Sequence, residues 1–284
     1  MAINNFIPTV WSEKLWRELD RQLIGAAHCS REYEGEIKEK GSKVKIVGVD
    51  KVPINNYTKN SNMGNPSVLN DNVRELVIDQ AKYFNFQIDD VDKTQGIPNI
   101  MDSVVKSAAR SLANVADQYI YSLYDDAGYL LEANNRDLDE MMNIFLAART
   151  ILYRNDVNNA DDLVLEVTPD VAALILKSKI ELETDNVQQL ENGCIGKLFG
   201  VKVFVSNNVV ADYNTSGPDA PDGYHKCIMR TKRAIAFASQ LSEIEAYRPE
   251  LRFADAVKGL HLYGAKVIYP EEMVTIDIAL YDMI

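Results

Sequence analysis

The sequence is poor in the residues that staple, ligate or catalyse. Of 284 residues, three are cysteine (Cys29, Cys194, Cys227) and three are histidine (His28, His225, His261). An odd number of widely separated cysteines points to free thiols and a reducing compartment, not to a disulfide framework. Glycine (14) and proline (9) are too sparse for a fibrous or disordered chain. Long apolar runs are missing as well. The longest, Val171-Ala-Ala-Leu-Ile-Leu176, has six residues, against the roughly 20 of a membrane-spanning helix. The opening MAINNFIPTVWSEKL lacks the basic-then-apolar order of a secretory signal. Positive charge is in deficit too: 30 Lys and Arg against 42 Asp and Glu leave a net charge of −12. That balance argues against a dedicated nucleic-acid binder, whose affinity rests on cations displacing counterions. It equally argues against docking on an anionic membrane.

Recognisable active-site patterns are absent. No two histidines are spaced for one helix face, and the short pairs His28-Cys29 and His225-Lys-Cys227 lack the second pair that a structural zinc site needs. These histidines read as surface or packed residues. There is no Gly-x-Ser-x-Gly elbow and no Gly-x-Gly-x-x-Gly. The segment Gly193-Cys-Ile-Gly-Lys-Leu-Phe-Gly200 lacks the spacing of a phosphate loop and the Ser or Thr after Lys197. Cys194 within it reads as a packed thiol. Asp89-Asp-Val-Asp92 lacks the glycine-bearing loop of a calcium site and reads as a solvated turn before a helix. No catalytic, cofactor-binding or metal-binding residue is assigned, and no cofactor is expected.

What is present is pattern. Apolar residues make up 46% and charged residues 25%, a mixture that supports a buried core. Trp11, Leu15, Leu19 and Leu23 recur every four residues after Pro8, predicting a helix with one apolar face. That face covers the chain's own core or lies as an arm on a neighbouring subunit. Lys43-Val-Lys-Ile-Val47 alternates like a strand with one wet face. Val52 to Asn72 is rich in Asn, Ser, Gly and Pro, and strand character returns at Val73–Ile78 and Tyr83–Ile88. Together these predict a long β-hairpin with a polar tip, which cannot build a core alone.

Three-and-four spacing from Ile100 to Asp126 predicts a helix about 40 Å long, with Gly128 as its stop. A second helix carries Leu138, Met141, Phe145, Ala148 and Leu152, with Asp137 and Glu140 as a capping arrangement. Leu163–Val167 reads as a strand, and Thr168-Pro169 caps a short buried helix over Val171–Leu176. Gly196–Gly200 reads as a turn before the strand Val201–Val205, and Asn214–Gly223 as a surface loop. Strands are expected at Cys227–Arg230, Ala234–Ala238, Leu260–Tyr269 and, by strict alternation, through Val274, Ile276, Ile278 and Leu280. The fold class is α+β.

Several segments, in this order, resemble the major capsid proteins of tailed bacteriophages, which have the Hong Kong 97-like fold. They are Phe6-Ile-Pro-x-x-Trp-Ser-Glu-Lys-Leu15, Tyr33-Glu-Gly-Glu-Ile37, the run from Val77 to Asp92, Gly200–Asn208, Arg230–Ala238 and Arg252–Val267. The resemblance implies an N-terminal arm over 1–32 and an extended loop over 33–82. It implies a peripheral domain with a spine helix over 83–132, an axial domain over 133–245, and a return to the peripheral domain over 246–284. It also implies a structural role without enzyme activity: pentamers and hexamers closing into an icosahedral shell around double-stranded DNA, which is held without sequence-specific binding. The implied partners are further copies of the chain, with scaffolding, portal and decoration proteins. The implied location is the virion, assembled in the cytoplasm of a bacterial host. Residues expected at contacts between subunits are Trp11, Trp16, Lys43, Tyr57, Lys59, Arg74 and Glu75. Three other readings stay open: an encapsulin-type nanocompartment shell, a carboxylate-based hydrolase, and a non-assembling binding protein with a β-arm.

Overall fold

The computed structural model describes residues 15, 17–33, 41, 43–49, 54, 56, 59, 71–89, 100–134, 138–157, 162–177, 194–213, 221–251 and 253–281. Trp11, Trp16, Tyr57, Asp137 and most of the hairpin tip and of the Asn214–Gly223 loop therefore lie outside the described residues.

After helical residues at 15 and 17–22, the chain forms β1 (Lys43–Val49), β2 (Asp71–Val77) and β3 (Gln80–Asp89). Helix α1 (Ile100–Tyr121) continues as a 3-10 turn over Ser122–Asp126, so helical backbone fills the span expected from periodicity. Its buried stripe includes Val105, Ala109, Leu112, Ala116 and Ile120. Gly128 stops it for a different reason from the one expected. Its backbone is not left-handed. Instead its N–H donates to the Pro270 carbonyl at 2.9 Å, and a Cβ there would sit 2.5 Å from that oxygen.

Next come β4 (Tyr129–Asn134) and α2 (Leu138–Arg154), which buries Met141, Phe145, Ala148 and Leu152. Strand β5 (Leu163–Val167) leads into α3 (Pro169–Lys177). Thr168 caps that helix, its Oγ1 accepting from the Val171 N–H at 3.4 Å, while Pro169 fills the first turn, where a missing N–H costs nothing. Then follow β6 (Cys194–Leu198), β7 (Val201–Val205), β8 (Ala211–Asp212) and β9 (Gly223–Thr231). The last strands are β10 (Ile235–Tyr247), β11 (Ala254–Val267) and β12 (Met273–Leu280). Gly196-Lys-Leu is strand, not turn. The reversal is confined to Phe199-Gly200, and β6 absorbs its glycine through a register shift between Cys194 and Gly196.

In these residues the strands form three sheets. The largest runs β4-β12-β9-β5-β7-β6, with β8 beside β9. Helices α2 and α3 cover one face, packing on Leu163, Leu165, Val167, Cys227, Met229 and Ile276 among others. The second sheet, β10-β11-β3, lies against α1. The third is the antiparallel ribbon β1–β2, in register from Lys43↔Val77 to Val49↔Asp71.

Two strand pairings run across the expected divisions of the chain. Strand β12 does not return with 246–284 to the α1 layer; it sits between β4 and β9 in the large sheet. Strand β10, inside the 133–245 span, pairs instead with β11. Alternation identifies strands but not their partners: β4 is distant in sequence from β12, whereas β10 and β11 are consecutive strands joined by a turn. Strand β3 likewise pairs with β11 and is not part of the ribbon.

Candidate assembly surfaces and a buried clasp

Between the two layers lies a cluster of buried polar side chains. Glu166 on β5 and Arg230 on β9 point to the large-sheet face opposite α2 and α3, and both are fully buried. Arg230 Nε donates to Glu166 Oε2 at 2.9 Å and Nη2 to Oε1 at 3.0 Å, a two-pronged pairing that matches a planar guanidinium to a carboxylate. The remaining guanidinium hydrogens reach the N-terminal segment: Nη2 donates to the Gly25 carbonyl at 3.0 Å, and Nη1 donates to the His28 carbonyl. Asp117 on α1 holds the same segment from the other side, accepting from Ile24 N–H at 2.9 Å and Ala26 N–H at 3.1 Å. Residues 24–28 are thus gripped by their backbone groups between the large sheet and α1.

The electrostatics follow from burial and pairing. Burial alone would raise the Glu166 pKa, but the Arg230 guanidinium and the nearby His28 outweigh it and hold the carboxyl below its usual range. His28 Nδ1 lies 3.4 Å from Glu166 Oε1, near enough to act by charge though without a formed hydrogen bond. Asp117 has no cation of its own, so burial dominates and lifts its pKa to about 6 despite the backbone donors. Burial also pushes the Cys29 thiol up to about 11. That protonated thiol is a packing group, not a nucleophile. The three cysteines are free and buried. No group of three or more His, Cys, Asp or Glu side chains among the described residues is placed to hold a metal ion. The clasp joins pieces of the fold. Sequence reading missed it, although the available signal was a charge inside each of two strands buried on both faces.

The outward surfaces are of another kind. The ribbon buries Val44, Ile46 and Leu76 on one face, against Ala236, Ala238, Leu262 and Ile268 of the second sheet. Its other face exposes Lys43, Lys45, Glu75 and Val77. Lys43 Nζ meets Glu75 Oε2 across the ribbon at 2.9 Å, and that hydrogen bond, with the lysine's charge, lowers the Glu75 pKa. Arg74 donates to the Ile268 carbonyl. Of the residues expected at subunit contacts, these three therefore have partners in their own chain, and Lys59 is exposed. Beyond the ribbon, Ile54 is 95% exposed. At the turn joining β10 to β11, Leu251 and Phe253 are 96% and 83% exposed.

Leu15, Leu19 and Leu23 are buried in the core around α1, which favours the first of the two readings of the N-terminal stripe for these residues. An open groove of about 870 Å³ runs between β3 and α1, lined by Tyr83, Phe84, Phe86, Ala108, Leu112 and Val115 among others, and none of its lining residues is Asp, Glu, His or Cys. It offers no pair of carboxylates for hydrolysis.

Comparison with known proteins identifies the family and the fold. The family model described as phage capsid protein matches residues 35–279. No curated protein matches the sequence. Among solved structures, one from Mycobacterium phage Che8 is 26% identical, with a TM-score of 0.67 over 89% of this chain and 90% of that one. The capsid of Ralstonia phage GP4 is 13% identical, with a TM-score of 0.68 over 91% and 89%. A virus-like particle from Pyrococcus furiosus is 14% identical, with a TM-score of 0.58 over 93% and 96%. The last two likenesses concern the fold alone.

Proposed function

This chain belongs to the phage capsid protein family, whose members are structural parts of the virion and not enzymes, and on that premise we propose that its copies form pentamers and hexamers that close into an icosahedral shell around double-stranded DNA. Closed symmetry lets one set of surfaces be satisfied many times. In this reading the ribbon β1–β2 and the segment between its strands are the extended loop. Helix α1 with β3, β10 and β11 forms the peripheral layer. The large sheet with α2 and α3 is the axial domain, and residues 1–32 are the N-terminal arm. Trp11, Trp16, Tyr57 and Lys59 meet neighbouring copies; Arg74 seats the ribbon on its own subunit, and Lys43 and Glu75 pair with each other on its outer face.

One geometric observation carries the reading. The ribbon's apolar face is covered by its own chain at the root, while Ile54 beyond it is almost fully exposed. Obligate interfaces often exceed about 2,000 Å². At about 25 cal/mol per Å² of apolar area, the gross gain is tens of kcal/mol, much of it offset by ordering and association. The net charge of −12 keeps free subunits apart in solution and implies that DNA is retained by confinement.

Electron microscopy and sedimentation of the purified chain test this. Closed particles of uniform size are the expected result; a species that stays monomeric at every concentration sinks it. The likeness to the Pyrococcus furiosus particle favours a second reading, a nanocompartment shell. Particles filled with one enzyme rather than DNA, and an enzyme gene beside this one in place of portal and terminase genes, would decide for it.

A further inference from the structure

Between β2 and β3 the chain turns a corner at Ile78 and Asp79, passing from the ribbon onto the edge of the second sheet. Four features fix that corner. The Gly41 N–H donates to the Ile78 carbonyl at 2.8 Å, tying the entering leg of the ribbon to the leaving one. Tyr119 on α1 donates its hydroxyl to the Asp79 carboxylate at 3.1 Å. Arg74 donates to the Ile268 carbonyl just past the end of β11. Leu76 and Ile78 are fully buried on the second sheet. Where the corner crosses β11, the residue beneath it is Gly264. A Cβ on Gly264 would collide with the Val77 carbonyl and come within 3.1 Å of Ile78 Cα. Both obstacles are backbone, so no side-chain rotation relieves them.

We infer that Gly264 is a positioning residue for assembly, setting the direction in which the ribbon leaves the body. The inference rests on the reading of the ribbon as a limb that meets a neighbouring copy. The lever is long. Lifting the corner by about 1 Å across a strand spacing of about 4.8 Å turns the ribbon by roughly 12°, and carries the end of a seven-residue strand, about 23 Å away, by about 5 Å. A shift of that size separates one set of contacting side chains from the next, while the cores around α1 and beneath α2 and α3 contain, among the described residues, no ribbon residue. Gly264 therefore governs where the ribbon points more than whether the subunit folds.

The test is Gly264→Ala in the full chain, read in two ways. The native cysteines are buried, so spin labels on Lys59→Cys and Ala147→Cys, both exposed positions, report ribbon against body in dissociated subunits. The expected result is a displaced label distance together with closed particles reduced by about tenfold or more. Its urea midpoint should fall no further than that of Val203→Ala, a core change in the large sheet. An unchanged distance, or particles at the level of the parent chain, overturns the inference. If Gly264→Ala is insoluble, Tyr119→Phe combined with Arg74→Met frees the corner without adding bulk. A broadened distance distribution with fewer shells then supports the inference, and an unaltered distribution overturns it. Deleting residues 52–72 separates the two levels. Shells lost in the deletion but normal in Gly264→Ala overturn only the role of Gly264; normal shells in both overturn the ribbon's role as a limb.

Discussion

The large sheet and the ribbon are built from the same kind of alternating strand and end in opposite situations. In the sheet, β5 and β9 are covered on both faces: apolar side chains meet α2 and α3, and Glu166 and Arg230 meet the N-terminal segment and α1. In the ribbon, Val44, Ile46 and Leu76 are covered and Lys43, Lys45, Glu75 and Val77 are not. The first region draws its stability from its own chain. The second draws only its seating from it, and a two-stranded ribbon is marginal in water without further contacts. On the proposed reading the body stands alone and a neighbouring copy completes the ribbon.

Four changes break or sharpen that contrast. Deleting residues 52–72 should abolish closed particles in micrographs while leaving the subunit folded, with little change in its urea midpoint; normal particles would remove the contrast altogether. Arg230→Met strikes the body instead. It strands a buried carboxylate, so unfolding free energy should fall by about 3–5 kcal/mol, and the double change with Glu166→Met should recover most of that loss. A double variant as unstable as the single one would mean that the pair does not act as a unit.

A pH series separates the clasp's two halves. Asp117 titrates near 6 when folded against 3.8 when free. Its contribution is fully present below the free value and is lost as pH rises through about 6, by at most roughly 3 kcal/mol. Glu166, held below its usual range, works in reverse: its contribution is present above the free value and is lost as pH falls through the folded one. Relative to Asp117→Asn, the parent chain should therefore lose stability between about pH 4 and 6 in urea titrations; a flat difference removes the assignment. The smallest effect belongs to the ribbon. Lys43→Ala breaks an exposed pair and should leave the urea midpoint unmoved. A clear drop would show that the ribbon's outer face holds its own fold together.

Periodic segments were legible in the sequence. The three-and-four spacing of Val105, Ala108, Leu112 and Val115 gave α1, that of Met141, Phe145 and Leu152 gave α2, and strict alternation gave β12. Local chemistry also sufficed for Thr168-Pro169 as a helix start. What failed was whatever depends on distant partners. Nothing in Met273–Leu280 says that it lies parallel to Tyr129–Asn134. Nothing local in Gly128 or Gly264 announces the backbone that passes over each. Glu166 and Arg230, 64 positions apart, gave no sign of each other beyond sitting in otherwise apolar strands. The resemblance to capsid proteins supplied the fold class, but its division of the chain did not give the places of β10 and β12.

The place of β12 carries a consequence for timing. It joins the edge strand β4 to β9 in the large sheet, yet it is made after every other strand in that sheet. While the ribosome is still synthesising residues 273–280, the sheet stands open along a missing row, although the ribbon emerged some two hundred residues earlier. The residues that seat the ribbon on β10 and β11 are also made late, so the ribbon gains its seat only when the body is nearly complete. Protease digestion of chains stalled at residue 272 should find the large sheet cleavable and the finished chain resistant. Synthesis order itself would then keep tiles from being laid before they have set.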